Sequence, residues 1–184
     1  TLYNIPSDDS LIPSLYMSND YAITWSNVTT LLPHRDFTSI TCSDSGQVIY
    51  IVGSSTDIYV STDYGVTWSN PTSSNVHNEY FFQVVSSSNG KNATAVSGYD
   101  GGVFTTSDYG LHWYRQALDT DRNHYTSVQM SADGTVIMVV DSQVLGGIYV
   151  SNNSGIDFSL NLNTPNISIA HISASSDMQF IMTM

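Results

Sequence analysis

Six of the ten His, Arg, Lys and Glu side chains fall in three short segments of this sequence. Segments 34–36, 77–79 and 122–124 together hold three of the five His, two of the three Arg and the only Glu. Imidazole, guanidinium and carboxylate groups make strong hydrogen bonds, which suit a surface that recognises polar ligands. The sequence therefore predicts ligand-binding residues in these segments, namely His34, Arg35, Asp36, His77, Glu79, Arg122 and His124. The alternative is that solvated loops simply attract polar residues.

Motifs for catalysis or metal binding are absent from the sequence. The histidines lack metal-ligand spacing, and neither a nucleophile elbow nor a phosphate-binding loop occurs. Segment 119–130 begins like a calcium loop, but His124 replaces the required Gly and Met130 the bidentate Glu. A single cysteine, Cys42, excludes an internal disulfide framework. We therefore predict no catalytic residue, no metal and no cofactor.

The charge balance excludes two classes of partner. Four Lys plus Arg stand against sixteen Asp plus Glu, which gives a formal net charge of -12. Such a chain cannot neutralise a run of phosphates, so nucleic acid is excluded, and an anionic membrane surface is disfavoured. No apolar stretch approaches the ~20 residues of a membrane span, so we expect no membrane insertion. The chain begins at Thr1 with neither an initiator Met nor a signal peptide, so we expect a processed or partial polypeptide.

Two motifs repeat in phase along the 184 residues. The first occurs as SNDYAITW at 18–25, STDYGVTW at 61–68, TSDYGLHW at 106–113 and SNNSGIDF at 151–158. The second comprises apolar positions predicted to open a strand, each followed six residues later by a turn residue. Those strand positions are Ile40, Val84, Val128 and Ile172, and the turn positions are Gly46, Gly90, Gly134 and Met178, at a spacing of 44. Because Ser, Thr, Asn and Asp greatly outnumber Lys and Glu, the pattern indicates strands and turns, hence an all-β chain.

Each repeat predicts four strands. In the first full repeat they are 39–42, 48–52, 58–60 and 66–68, and a hairpin at 63–65 joins the last two. Asp and Ser/Thr side chains accept backbone N–H bonds inside that hairpin, Gly supplies a positive φ, and the aromatic residue fills the seam between sheets. Four-stranded units at a period of about 44 residues are typical of β-propeller blades.

The motif S/T-x-D-x-G-x-T-W resembles the Asp-box, or BNR, repeat of sialidases, sortilin-type receptors and photosystem assembly factors. It is also similar to propeller repeats in surface proteins of large DNA viruses and phages. The resemblance implies a structural role for eight residues: Asp20, Asp63, Gly65, Trp68, Asp108, Gly110, Trp113 and Gly155. It also implies that these hairpins lie on the rim opposite the ligand-binding face. Ala22 replaces Gly in the first copy, and Asn153 and Phe158 replace Asp and Trp in the last, so we expect those two hairpins to be looser.

The phase of the repeat predicts one propeller domain or segment over residues 1–184. It comprises a half blade to about residue 35, blades at about 36–79, 80–123 and 124–167, and a half blade at 168–184. We expect a segment of a six- to eight-bladed ring, because larger rings dominate this repeat family. The alternative is a closed four-bladed ring in which the two half blades combine.

Two functions fit these observations. The sparse charge and the Ser/Thr/Asn-rich composition favour a non-enzymatic binding or structural module on a virion or in the extracellular space, with other structural proteins or surface glycans as partners. The alternative is a sialidase-like glycoside hydrolase whose catalytic residues lie partly outside this chain. The resemblance to sialidases implies three arginines from separate blades, whereas Arg115 and Arg122 fall in one predicted blade. Glu79 and Tyr80 are adjacent, which sends their side chains apart on a strand.

Overall fold

All regular secondary structure in the described part of the chain is β-strand. The computed structural model describes residues 15–28, 32, 36–54, 58–70, 76, 79–98, 101–118, 124–143, 147–163 and 169–184. The strands of the first two sheets are β1 (Tyr16–Met17), β2 (Ser26–Asn27), β3 (Asp36–Cys42), β4 (Ile49–Ser54) and β5 (Tyr59–Ser61). The third sheet holds β6 (Phe81–Ser86), β7 (Ala93–Ser97), β8 (Val103–Thr106) and β9 (Tyr114–Gln116). The last two hold β10 (Tyr125–Met130), β11 (Ile137–Asp141), β12 (Ile148–Ser151), β13 (Ser159–Leu160), β14 (Ile172–Ala174) and β15 (Ile181–Thr183).

The strands form antiparallel sheets in chain order. The sheets β6 to β9 and β10 to β13 each have four strands, and β3 to β5 form a sheet of three. A single bridge between Val60 and Ser69 stands where the fourth strand of that sheet would run. The pairs β1–β2 and β14–β15 complete the described set. The predicted all-β class and the four-stranded unit are thus confirmed.

The predicted position of the fourth strand was wrong. Residues 66–68 still belong to the turn, because the Asp63 carboxylate accepts a hydrogen bond from the Thr67 amide at 2.8 Å. The fourth strand instead follows the aromatic residue, as β9 follows Trp113. The first strand of each sheet also starts earlier than predicted, so that Ile40 lies inside β3 and does not open it. In β3, β6 and β10 the pairing with the next strand shifts by one residue just before Ile40, Val84 and Val128.

The core consists of apolar seams between successive sheets. One seam joins Tyr50 and Val60 of one sheet to Val84, Phe104 and Trp113 of the next, and all of these side chains are buried. The ring of Trp113 meets that of Tyr50 edge to face, with centroids 5.8 Å apart. Burying one such aromatic side chain stabilises the fold by roughly 1.5–3 kcal/mol relative to exposing it. Similar apolar clusters fill the next two seams.

Backbone hydrogen bonds also connect successive sheets. In the turns that join the first and second strands of each sheet, the amide of Asp44 donates to the carbonyl of Ser88, Ser88 to Ala132 and Ala132 to Ser176, each at 2.8 Å. These three bonds form a ladder that runs across the sheets at the spacing of the repeat. We call them the turn ladder. They fix the height of each sheet relative to its neighbour.

Polar side chains on the innermost strands provide a second connection. The amide of Val84 donates to Ser39 Oγ at 3.1 Å, and that of Val128 donates to Gln83 Oε1 at 2.9 Å. Ile172 makes the corresponding bond to Ser127 Oγ at 3.3 Å. These amides lie at a sheet edge where no further strand supplies a carbonyl group. The side chain from the preceding sheet satisfies them, as buried backbone donors require.

Candidate functional site

The connections between strands fall on two opposite rims. Because the strands are antiparallel, the turn between strands one and two lies at the same edge of the sheet as the hairpin between strands three and four. We call this edge the hairpin rim; it comprises hairpins 18–25, 61–68, 106–113 and 151–158 with turns 43–48, 87–92, 131–136 and 175–180. The loops from strand two to three and from strand four to the next sheet form the other edge, which we call the loop rim.

The structure describes three of the seven predicted ligand-binding residues. His34, Arg35, His77 and Arg122 lie outside the described residues. Asp36 is the first residue of β3 and pairs with Ser54, and the position of its side chain is not described. Glu79 and His124 lie on the loop rim, immediately before β6 and β10. Their assignment to a ligand site stays a prediction.

Glu79 is held in place by the second strand of its own sheet. The hydroxyl of Ser97, which is completely buried at the end of β7, donates a hydrogen bond to Glu79 Oε2 at 2.8 Å. The amide of the next residue, Gly98, donates to the carbonyl of Tyr80 at 3.1 Å. The half-buried Glu79 carboxylate therefore has a fixed orientation at the mouth of the loop rim.

Two aromatic residues, Tyr80 and Phe82, follow Glu79 along the chain, and the ring of Phe82 packs on the residue next to Ser97. The ring of Phe82 covers Gly98 so closely that a Cβ atom at position 98 would lie 2.2 Å from Phe82 Cε2. The ring centroid of Phe82 is 6.0 Å from that of His124. His124 Nδ1 shares a hydrogen bond of 2.8 Å with the hydroxyl of Ser142, which fixes the imidazole. We call Glu79, Tyr80, Phe82 and His124 the loop-rim cluster.

Sequence reasoning missed Phe82 and Gly98, although a signal for them exists. The positions equivalent to Phe82 in the neighbouring repeats are Thr38 and Thr126, and the position equivalent to Gly98 is Ser142 in the next repeat. One repeat thus replaces a small polar residue by Phe and, sixteen residues later, a Ser by Gly. The glycine makes room for the ring. A paired departure of this kind in one copy marks a local change that the shared fold does not require.

Arg115 lies elsewhere on the same rim. It stands on the outermost strand β9, and its Nη2 donates a hydrogen bond to the carbonyl of Gly101 at 2.8 Å. The guanidinium helps to line a cavity of about 280 Å³ together with Gly102, Leu118 and Tyr125. A side chain at Gly102 would collide with Arg115, because a Cβ there would lie 2.7 Å from Nε. Glycine at this position therefore lets Arg115 lie flat against the loop.

The hairpin rim repeats one hydrogen-bond pattern. In hairpin 61–68, Asp63 Oδ1 accepts bonds from the Ser61 hydroxyl at 2.9 Å and from the Thr67 amide at 2.8 Å. The Thr67 hydroxyl donates to Asp63 Oδ2 at 2.6 Å. The bonds from the side chain and amide of Thr67, with that from Ser61, hold the pKa of Asp63 below its ordinary value. This carboxylate closes the turn.

In the third hairpin, 106–113, His112 takes the place of the threonine that bonds to the aspartate. The amide of His112 donates to Asp108 Oδ1 at 3.0 Å, and His112 Nδ1 lies 2.7 Å from Asp108 Oδ2. Partial burial raises the pKa of Asp108, but the hydrogen bonds from His112 and from Thr106 outweigh this effect and leave the pKa below its ordinary value. Asp108 is thus also engaged within its own turn.

In the fourth hairpin, 151–158, the carboxylate is at the last turn position and an amide side chain is at the first. Asn153 Oδ1 accepts a bond from the Asp157 amide at 3.0 Å, as the aspartates do in the other copies. Its Nδ2 then donates to Asp157 Oδ2 at 3.1 Å, so that the carboxylate now stands at the second position. The hairpin keeps the full hydrogen-bond pattern, against the expectation that this copy would be looser. Phe158, in place of Trp, is partly buried against the adjoining apolar seam.

Ala22 shows the cost of losing glycine in the first hairpin. It has a φ of 65°, in the left-handed region where Gly65, Gly110 and Gly155 lie in the other copies. A Cβ at Gly110 or at Gly155 would come within 2.7 Å of Val60 or Thr105 on the preceding sheet. Ala22 itself is exposed, so its methyl group meets only the backbone strain, which costs about 1 kcal/mol for an L-residue.

This chain resembles known proteins in its structure. No protein-family model matches the sequence, and no curated protein matches it significantly. Solved structures do match. A structure of YCF48 bound to a D1 peptide has a TM-score of 0.59 and 17% identity, over 77% of this chain and 45% of that one. The GH74 xyloglucanase from Xanthomonas campestris has a TM-score of 0.67 and 14% identity, over 91% of this chain and 32% of that one.

Both of these proteins are β-propellers. This chain has a β-propeller fold. YCF48 from Cyanidioschyzon merolae is a further match, with a TM-score of 0.58 and 23% identity over 78% of this chain. The chain spans less than half the length of each of these structures, and the sheets described above form part of a ring. At this level of identity the likeness establishes the fold alone.

Two features are absent from the described ranges. No helix among these residues is long and apolar enough to cross a membrane. Within the same ranges, no group of three or more His, Cys, Asp or Glu side chains is placed to hold a metal ion.

Proposed function

We propose that this propeller is a non-enzymatic binding or structural module of a virion or cell surface, and that its loop rim recognises a surface glycan or another structural protein. The hairpins resemble Asp-box repeats, and their aspartates are engaged within the turns, so we assign them a structural role. Recognition then falls to the opposite rim. The likeness of the repeats to those of surface proteins of large DNA viruses and phages supports the proposed location.

The observation that carries this proposal is the loop-rim cluster. The ring of Phe82 is 36% exposed and Tyr80 is half exposed, on the same rim as a carboxylate held by Ser97 and an imidazole held by Ser142. Aromatic faces pack on the C–H face of a sugar or on an apolar side chain, while Glu79 and His124 offer hydrogen bonds to hydroxyl or amide groups. A few convergent polar groups around an apolar surface are the usual composition of a ligand site. One matched structure holds a peptide, which supports a protein ligand for this chain.

The proposal is tested by binding to an array of immobilised glycans and to peptides, with the chain and its Phe82→Ala variant. We expect Phe82→Ala to weaken the strongest binding at least about tenfold, because an aromatic contact worth more than 1.4 kcal/mol is lost. Tyr16→Ala removes an aromatic ring that is 52% exposed on β1, away from the cluster; it is the control and should bind like the parent chain. Equal losses in the two variants, or unchanged binding by Phe82→Ala, would contradict a site at this cluster.

A glycoside hydrolase of the sialidase type, with catalytic residues partly outside this chain, is the alternative. The structural match to a xyloglucanase is the observation in its favour. Release of sugar from sialyllactose or xyloglucan by the parent polypeptide, abolished by Glu79→Gln, would support the hydrolase. Binding without hydrolysis, weakened by the same substitution, would support the binding module.

A further inference from the structure

The hairpin rim exposes a row of apolar side chains. In hairpins 61–68, 106–113 and 151–158 the apolar residues next to the glycine are exposed, with exposed fractions from 42% for Tyr109 to 72% for Ile156. We call Tyr64, Val66, Tyr109, Leu111 and Ile156 the hydrophobic strip. The first hairpin continues it with Tyr21 and Ile23, which are also exposed. Single exposed apolar residues are ordinary, whereas a set that recurs in every hairpin of one rim indicates an interaction surface.

The strip residues lie along one rim because each hairpin rests on the sheet before it. Gly110 lies against Val60 of β5, and Gly155 lies against Thr105 of β8. Within a sheet, the hairpin is bonded to the turn between the first two strands: the amide of Tyr109 donates to the carbonyl of Lys91 at 3.1 Å. The hairpins therefore stand side by side along the hairpin rim.

The tyrosines of the strip occupy an unfavourable backbone conformation. Tyr64 and Tyr109 both have a φ of 62°, where glycine or asparagine would be less strained. Both rings are about half exposed, so burial within this chain does not compensate fully for that strain. Tyr21 and Ser154 have φ values of 58° and 59° at the same position, so this conformation belongs to the turn that all four hairpins share.

The charges around the strip define the chemistry of its partner. Asp63, Asp108 and Asp133 lie on this rim, and hydrogen bonds hold their pKa values below the ordinary value, to about 2 for Asp133. They remain ionised at neutral pH. The one lysine of the sequence, Lys91, also lies on this rim, and the chain has a formal net charge of -12. A second copy of this chain, or an anionic membrane, would bring like charges together.

We propose that the hydrophobic strip is a docking surface for a second protein that presents aliphatic side chains flanked by lysine or arginine. The apolar side chains of such a partner cover Val66, Leu111 and Ile156, and its cations lie over the neighbouring carboxylates. This surface is on the opposite edge of the sheets from the loop-rim cluster. One molecule can therefore bind a ligand at the loop rim while the hairpin rim attaches it to its partner.

The test uses a fluorescein-labelled 12-residue peptide of alternating Leu and Lys, with Ser/Lys and Leu/Glu peptides of the same length as comparisons. By fluorescence anisotropy, we expect the chain to bind Leu/Lys at least tenfold more tightly than Ser/Lys and to leave Leu/Glu unbound. The double variant Val66→Ser/Leu111→Ser should weaken Leu/Lys binding at least tenfold. Leu162→Ser, which changes an exposed leucine outside the strip, should bind like the parent chain.

Three results would overturn the proposal. Equal affinity for Leu/Lys and Ser/Lys would mean that charge alone attracts the peptide. Unchanged binding by the double variant would place the peptide elsewhere on the molecule. Self-association in sedimentation, abolished by the double variant, would identify a second copy of the chain as the occupant. Because the substituted side chains are exposed, the double variant should keep the circular dichroism and melting curve of the parent chain.

Discussion

On the hairpin rim, all four hairpins bond the amide of the last turn residue to the side-chain oxygen four positions earlier. On the loop rim, the equivalent positions hold different residues, as where Phe82 stands in place of Thr38 and Thr126. The two rims of the repeat therefore differ in how regular they are. One rim repeats its bonds even where the residues change, and the other changes its residues while the strands stay the same.

The comparison separates what holds the sheets together from what distinguishes them. The turn ladder and the seated hairpins join each sheet to the next on the hairpin rim. The loop-rim bonds of Glu79 and His124 join loops of a single sheet. Changes on the hairpin rim and in the seams should consequently cost stability, whereas changes on the loop rim should cost binding.

The largest effect is expected from the aromatic residue in the seam. Trp113→Ala removes a side chain that is 1% exposed and packs on Tyr50, and should lower the free energy of unfolding by about 3–5 kcal/mol. Trp25→Ala changes the equivalent residue of the first hairpin, which is 59% exposed, and should cost less than about 1 kcal/mol. Urea denaturation measures both. Similar losses in the two variants would contradict the assignment of the seam as the core.

Glycines on the hairpin rim come next. Gly110→Ala adds a methyl group 2.7 Å from Val60 Cγ2 at a φ of 78°, and should cost about 2–4 kcal/mol from strain and overpacking together. Gly46→Ala is the matched control, since its φ is 73° and nothing lies within 4 Å. It should cost only about 1 kcal/mol. A Gly46 variant as unstable as the Gly110 variant would show that the hairpin does not press on the preceding sheet.

Acid should weaken the hairpin rim. The pKa values of Asp20, Asp63, Asp108 and Asp177 are below the ordinary value of 3.8, and that of Asp133 is about 2. Because folding lowers these values, the stability they contribute is fully present above about pH 4 and is lost as the pH falls towards 2. Thermal melts across this interval should show a steadily falling midpoint. A midpoint that rises on acidification would contradict the role of the ionised carboxylates.

A smaller effect should follow from moving one carboxylate. Asp63→Asn alone removes the charged acceptor for the Thr67 hydroxyl and should lower the melting midpoint. The double variant Asp63→Asn/Thr67→Asp reproduces the Asn153–Asp157 arrangement and should recover most of that loss. A double variant less stable than the single one would show that the reversed pair depends on its own surroundings.

The smallest effect on stability is expected on the loop rim. Glu79→Gln keeps an oxygen that can accept the bond from Ser97 and should change the free energy of unfolding by less than about 1 kcal/mol. Its effect on ligand binding should be larger than its effect on folding. A loss of several kcal/mol in urea denaturation would make Glu79 a structural residue instead.

The sequence predicted the repeat unit because the residues that form each hairpin lie close together in the chain. The Asp and Gly of each hairpin act within five residues, so the pattern shows the turn without any knowledge of the fold. The start of the fourth strand was misplaced for the same reason: a carboxylate bond to the residue four positions later extends the turn, and sequence spacing alone does not show which residue accepts that bond.

The candidate site was less accessible to sequence reasoning. Phe82 meets Gly98, and His124 meets Ser142, across loops that join different strands. Such contacts depend on the register of β6 with β7 and of β10 with β11, and both pairs contain a shift that hydrophobic spacing does not reveal. Grouping the ionisable residues selected Glu79 and His124, whose role in ligand binding stays a prediction. It did not identify the exposed ring of Phe82 on the same rim.

Native-state hydrogen exchange of the backbone amides tests the contrast between the rims most directly. Ser88 and Ala132 donate the bonds of the turn ladder, and Gly98 and Ser142 donate the bonds of the loop rim. Because the turn ladder joins sheets, the amides of Ser88 and Ala132 should exchange only on global unfolding. Gly98 and Ser142 should exchange faster, through local opening of single loops. Equal or greater protection at Gly98 and Ser142 would contradict the account, because the loop rim would then hold the sheets together as firmly as the hairpin rim.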